Sequence, residues 1–150
     1  MSRTNKAIIY YYWDNWSPHA YKNIRVPIIL SIATLRAHNT YTPIYVLDCS
    51  TNLSNWRDLP QKLGFKVLHW KKSLPDYSKP WTDFLARMKD VNQFSHQISA
   101  SEIIYCDSDV FWLKDPLPFN ESPDLFCCDK FNNGFYYFDK TSTACQKFFE

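Results

Sequence analysis

The stretch "IIYCDSDVFWLKDP", residues 103–116, sets the frame for the whole chain. An apolar run ends in two aspartates, Asp107 and Asp109, separated by Ser108. A second apolar run follows at once, then an Asp-Pro stop. A short apolar run of this kind reads as a buried strand, here near 102–106. On an extended backbone residues two apart leave by the same face, so both carboxylates point the same way. Like charges side by side are tolerable if both face water, or if a cation sits between them. The bland alternative is a solvated turn, since Asp and Ser favour turns and caps. The apolar flanks weigh against it.

Upstream, the pattern repeats. "KAIIYYYWDNW" opens with a continuous apolar run near 7–13 and stops at Asp14-Asn15. In "KNIRVPIILSIATLRAHNT", Ile24, Ile28, Ile32 and Leu35 recur three or four apart, a helical stripe, with Pro27 tolerated in the first turn. "TPIYVLDCS" gives a second strand near 43–48, again ending in an aspartate, Asp48. A short helix with Gly64 as its C-cap leads to a third strand near 65–70. A helix capped at Thr82, with Phe84, Met88, Val91 and Phe94 along one face, precedes the aspartate pair. "DLFCCDK" and "GFYYFD" read as further strands, and "TSTACQKFFE" as the start of a helix.

Alternating strands and helices predict a single α/β domain over residues 1–150, with a mainly parallel sheet and helices on both faces. In such sheets ligands bind beyond the carboxyl ends of the strands. Asp14, Asp48 and the Asp107/Asp109 pair all fall there, which points to a divalent cation or a polar ligand. Mg²⁺ or Mn²⁺ takes one or two carboxylates plus substrate phosphates.

The totals narrow the options. Hydrophobic residues are 45% and charged residues 21% of the 150, an ordinary globular balance. A net charge of +2 with scattered Lys and Arg is too little for a nucleic-acid binder. The five cysteines form no CxxC pair, which argues against a zinc site or a disulfide framework and for buried free thiols. No signal peptide and no run near the ~18 apolar residues of a membrane span is present, so a cytoplasmic protein is expected. The four histidines lack ligand spacing, and none is assigned to metal.

"IIYCDSDVFWLKDP" resembles the DxD signature of nucleotide-sugar glycosyltransferases with the GT-A fold, most closely the retaining bacterial galactosyltransferase and glycogenin group. "YWDNW" (12–16) is similar to that group's first-strand end, "YVLDCS" (45–50) to its second strand, "LARMK" (85–89) to its arginine-bearing helix, and "KFNNGFYYFD" (130–139) to the stretch against the donor. The resemblance implies a metal-dependent hexosyltransferase moving sugar from a nucleotide diphosphate, UDP-sugar favoured, to a carbohydrate or protein acceptor. It implies metal ligation by Asp107 and Asp109 with Mn²⁺ or Mg²⁺. Asp14, Asn15 and Trp16 would hold the base, with Asp107 also on the ribose. Arg87, Asn132, Asn133 and Gly134 would contact donor sugar or phosphate.

The same residues have plainer readings: an Asx turn with a core tryptophan, a surface arginine, and a β-turn at "NNG". Trp16 and Asn133 replace the group's usual residues. The resemblance further implies that the family's C-terminal part, with a metal-completing histidine and much of the acceptor pocket, lies outside these residues. No catalytic base is identified. The rival classes are a decayed, non-catalytic GT-A scaffold and a nucleotidyltransferase. The second is disfavoured because "DNWSPHAYKN" (14–23) holds no glycine-rich loop.

Overall fold

A computed structural model describes residues 5–13, 25–50, 56–71, 82–115, 125–127 and 135–149. Its elements in chain order are β1 (Lys6–Tyr12), α1 (Arg25–His38), β2 (Ile44–Asp48), α2 (Leu59–Leu63), β3 (Lys66–His69), α3 (Thr82–Ser95), β4 (Glu102–Cys106), β5 (Leu125–Cys127), β6 (Phe135–Asp139) and α4 (Thr143–Phe149). Six strands form one sheet in the order β3-β2-β1-β4-β6-β5. The pairs β3-β2, β2-β1 and β1-β4 are parallel, and β4-β6 and β6-β5 are antiparallel. The expected mainly parallel α/β sheet is present, and β4 lies inside it between β1 and β6.

The continuous apolar runs have a direct cause. Both faces of the central strands are covered, so successive side chains are buried whichever way they point. On one face, Ile8, Tyr10 and Tyr12 of β1, Ile44 and Val46 of β2, and Ile104 and Cys106 of β4 pack with Ile28, Ile32 and Leu35 of α1. On the other, Ile9, Tyr11 and Trp13 of the first strand and its end, Leu47, Ile103 and Tyr105 pack with Met88, Val91 and Phe94 of α3 and Cys145 of α4. The helical stripes read from spacing are therefore the faces that bury. Ile24 and the side chain of Phe84 lie outside the described residues. Cys49, Cys106 and Cys145 are buried free thiols. Burial pushes the Cys106 thiol well above its ordinary pKa, which keeps it inert.

Gly64 ends α2 at φ 65°, ψ 42°, in the left-handed region. An added Cβ would find no close clash, since its nearest neighbour is an Arg36 side-chain atom at 3.5 Å. The cost of Gly64→Ala is thus backbone strain, about 1–2 kcal/mol. Chemical denaturation is expected to show that loss with an unchanged m-value; an equally stable variant would contradict the assigned conformation.

One run departs from its reading. Val110–Leu113 is not a second buried segment: Trp112 is buried, whereas Phe111 and Leu113 are exposed. Trp112 turns inward, with Val110 partly buried against the same core, and its Nε1–H donates to Tyr10 Oη at 3.1 Å and its backbone N–H to Thr34 Oγ1 at 3.2 Å. Asp115 then accepts from Asn39 Nδ2 at 3.0 Å and from Tyr41 Oη at 3.2 Å. These contacts anchor the segment after the aspartates to α1 and to the turn that follows it. Among the described residues, no helix is long and apolar enough to cross a membrane.

Candidate active site at the strand ends

Parallel register brings the carboxyl ends of β2, β1 and β4 side by side, with Tyr12 opposite Asp48 and Tyr10 opposite Cys106. Asp107 and Asp109 follow β4 directly. Ser108 and Asp109 form a turn, with the Val110 N–H directed at Asp107 O at 3.5 Å. The extended geometry expected for the pair is therefore replaced by a bend, and the two carboxylates have unlike surroundings. Asp109 is exposed, and Asp107 is half-buried.

Asp107 is held by two partners. Tyr105 Oη donates to its Oδ1 at 2.7 Å, and Arg87 Nη1 lies 3.1 Å from the same oxygen. Arg87 Nη1 also donates to Tyr105 Oη at 3.1 Å, closing a triangle. The guanidinium sits over the Trp13 ring, 5.2 Å from its centroid. Burial raises the Asp107 carboxyl above its ordinary pKa; Arg87 and Tyr105 pull it back, and Asp109 adds to the rise. Burial also keeps the Tyr105 hydroxyl protonated, so it remains a donor. α3 carries Arg87 to this point because it is fastened to β1: Tyr11 Oη donates to the buried Asp90 Oδ2 at 2.6 Å. Arg87 and Asp90 are three apart and so share that helix face.

Asp48 has a different role from the one its position implied. It is buried, its Oδ1 accepts from the Ser50 N–H at 3.0 Å, and its Oδ2 accepts from Trp56 Nε1 at 2.9 Å. With both oxygens used to fasten the segment after β2, Asp48 is a structural residue.

Of the residues proposed from sequence, Arg87, Asp107 and Asp109 are described, and the first two touch. Asp14, Asn15, Trp16, Asn132, Asn133 and Gly134 lie outside the described residues. Tyr105 and Trp13 were missed. Tyr105 lies two residues before Asp107, and a polar-tipped aromatic at that spacing was the available signal. Nothing local marks Trp13 as a partner for Arg87.

Among the described residues no group of three or more His, Cys, Asp and Glu side chains is placed to hold a metal ion. Mg²⁺ or Mn²⁺ needs only one or two carboxylates when phosphates and water fill the remaining positions, a donor set that Asp107 and Asp109 could supply. Asp109 is exposed, and no described residue hydrogen-bonds Asp107 Oδ2, so each has oxygen to offer.

No family model and no curated protein matches the chain. Solved structures do. An active-site mutant of LgtC matches at TM-score 0.61 and 15% identity, over 89% of this chain and 57% of that one. The galactosyltransferase LgtC in complex with donor and acceptor sugar analogs matches at TM-score 0.60 and 16% identity, over 89% and 58%. The glycosyltransferase GlyE of Streptococcus pneumoniae TIGR4 matches at TM-score 0.59 and 19% identity, over 96% and 36%. A cytidylyltransferase from Leptospira borgpetersenii is similar at TM-score 0.51 and 10% identity. The chain spans between about one third and three fifths of the glycosyltransferases it matches. The sheet order, the flanking helices and these neighbours together give this chain a GT-A-like fold.

Proposed function

We propose that the chain carries the donor site of a metal-dependent glycosyltransferase that takes a nucleotide-diphosphate sugar. The observation behind this reading is the Asp107–Asp109 turn at the end of a central strand, with Arg87 brought to it by α3. Asp109 and Asp107 would hold Mn²⁺ or Mg²⁺. When bound, the cation neutralises charge on the departing nucleoside diphosphate, a Lewis-acid role that needs no protein general acid.

The chain's own residues bind and orient. Tyr105 fixes the Asp107 carboxylate. Arg87 supplies a cation within reach of a donor phosphate or sugar hydroxyl. Asp14 and Asn15 would hydrogen-bond the polar edge of the base, and Trp16 would stack on it. Asn132, Asn133 and Gly134 would lie against the donor. UDP is the favoured nucleotide, and the acceptor is a carbohydrate or protein hydroxyl. The likeness to a cytidylyltransferase does not carry the rival reading, because residues 14–23 contain no glycine to form a phosphate-cradling loop.

Adding UDP with Mn²⁺ is expected to quench tryptophan fluorescence, and Trp16→Ala to weaken binding by ~1–2 kcal/mol, as for a stacked aromatic. An unchanged affinity would remove Trp16 from the site. A scaffold with a decayed site is distinguished by equilibrium binding: it has no reason to bind nucleotide diphosphates in a metal-dependent way.

A further inference from the structure

Two protein donors converge on one oxygen of Asp107. Tyr105 Oη and Arg87 Nη1 both meet Oδ1, at 2.7 and 3.1 Å, and no described residue hydrogen-bonds Oδ2. The Arg87 side chain is only 13% exposed and is stacked over Trp13, so its charge is held in place. A divalent cation joining Asp107 must therefore settle close to a fixed positive charge. Like charges a few ångströms apart at a half-buried site repel strongly. A diphosphate changes that balance, because its negative charge attracts both cations.

Building on the donor-site reading, we propose that Arg87 makes cation binding conditional on the nucleotide. Without nucleotide, Arg87 is the counter-charge of Asp107 and suppresses uptake of the metal. With nucleotide, the negative charge of the diphosphate offsets the guanidinium, and Asp107 Oδ2 takes the metal. Tyr105 is a positioning residue that keeps Oδ1 occupied and leaves Oδ2 for the incoming ion. The coupling is reciprocal, so metal and nucleotide raise each other's affinity.

The test measures Mn²⁺ binding by electron paramagnetic resonance, with and without UDP, for the parent, Arg87→Gln and Arg87→Lys. The parent is expected to bind Mn²⁺ weakly alone and more tightly with UDP. Arg87→Gln should bind Mn²⁺ alone at least about fivefold tighter than the parent. Its gain from UDP should shrink by a similar factor. Arg87→Lys keeps the charge and should follow the parent for Mn²⁺ alone. If the parent binds Mn²⁺ with UDP but Arg87→Gln binds Mn²⁺ alone no better than the parent, the inference is overturned and the donor site stands. If the parent takes up no Mn²⁺ with UDP, the donor-site reading falls and the inference falls with it. Should circular dichroism show Arg87→Gln unfolded, the parent's Arg87 side-chain NMR resonance decides. It is expected to shift on adding Mg²⁺ with UDP, and an unmoved resonance at saturation overturns the proposal.

Discussion

Asp109→Asn is expected to abolish metal-dependent nucleotide binding while leaving the fold intact. Asp109 is exposed in the turn after β4, and no described residue pairs with it. Its loss therefore removes no contact with a described residue, and stability should stay within about 0.5 kcal/mol of the parent. The binding effect is large for the opposite reason. Replacing a residue that merely supports a metal ligand costs about 10–100-fold, so loss of a ligand itself should cost about 100-fold or more. Asp107→Asn should weaken binding similarly, although it also disturbs the contacts with Arg87 and Tyr105. Calorimetry with UDP and Mn²⁺ on both variants is the check. Parent-like affinity in both would refute the metal assignment.

Asp48→Ala is expected to do the reverse, costing stability and sparing the site. Its carboxylate accepts from Ser50 and from the buried Trp56 indole. Truncation leaves the buried Trp56 indole without its acceptor, a loss of about 1–3 kcal/mol, to which the part-buried Ser50 donors add less. Urea unfolding reads this directly. The folded variant should bind UDP with Mn²⁺ within about twofold of the parent. Unaltered stability combined with lost binding would place Asp48 at the site instead.

These two aspartates show what local pattern can and cannot reveal. Both follow an apolar run, and by pattern alone both point to a cation or polar ligand; only the resemblance sets Asp109 apart as a metal ligand. What separates them is Trp56, eight residues after Asp48, whose indole reaches back to the carboxylate. No spacing rule signals that contact. The strands β1, β2 and β4 were legible because burial on both faces makes them continuously apolar, and α1 was legible because its 3.6-residue stripe meets one face of the sheet. The exposure of Phe111 and Leu113 was not legible, since it depends on Trp112 turning inward to Tyr10. The Arg87–Asp107 contact joins residues 20 apart through the sheet, so only the resemblance placed them at one site. The ion pair of buried Lys6 with half-buried Glu102 at the opposite end of β1 and β4, 3.2 Å apart, was also invisible to local reading.

The central claim is that the Asp107–Asp109 turn binds a nucleotide diphosphate through a divalent cation. The most direct measurement is calorimetric titration of UDP into the parent chain in Mn²⁺, repeated after chelation with EDTA. The account predicts saturable binding with Mn²⁺ that disappears with EDTA. Absence of binding in Mn²⁺, or binding that EDTA leaves unchanged, would contradict it.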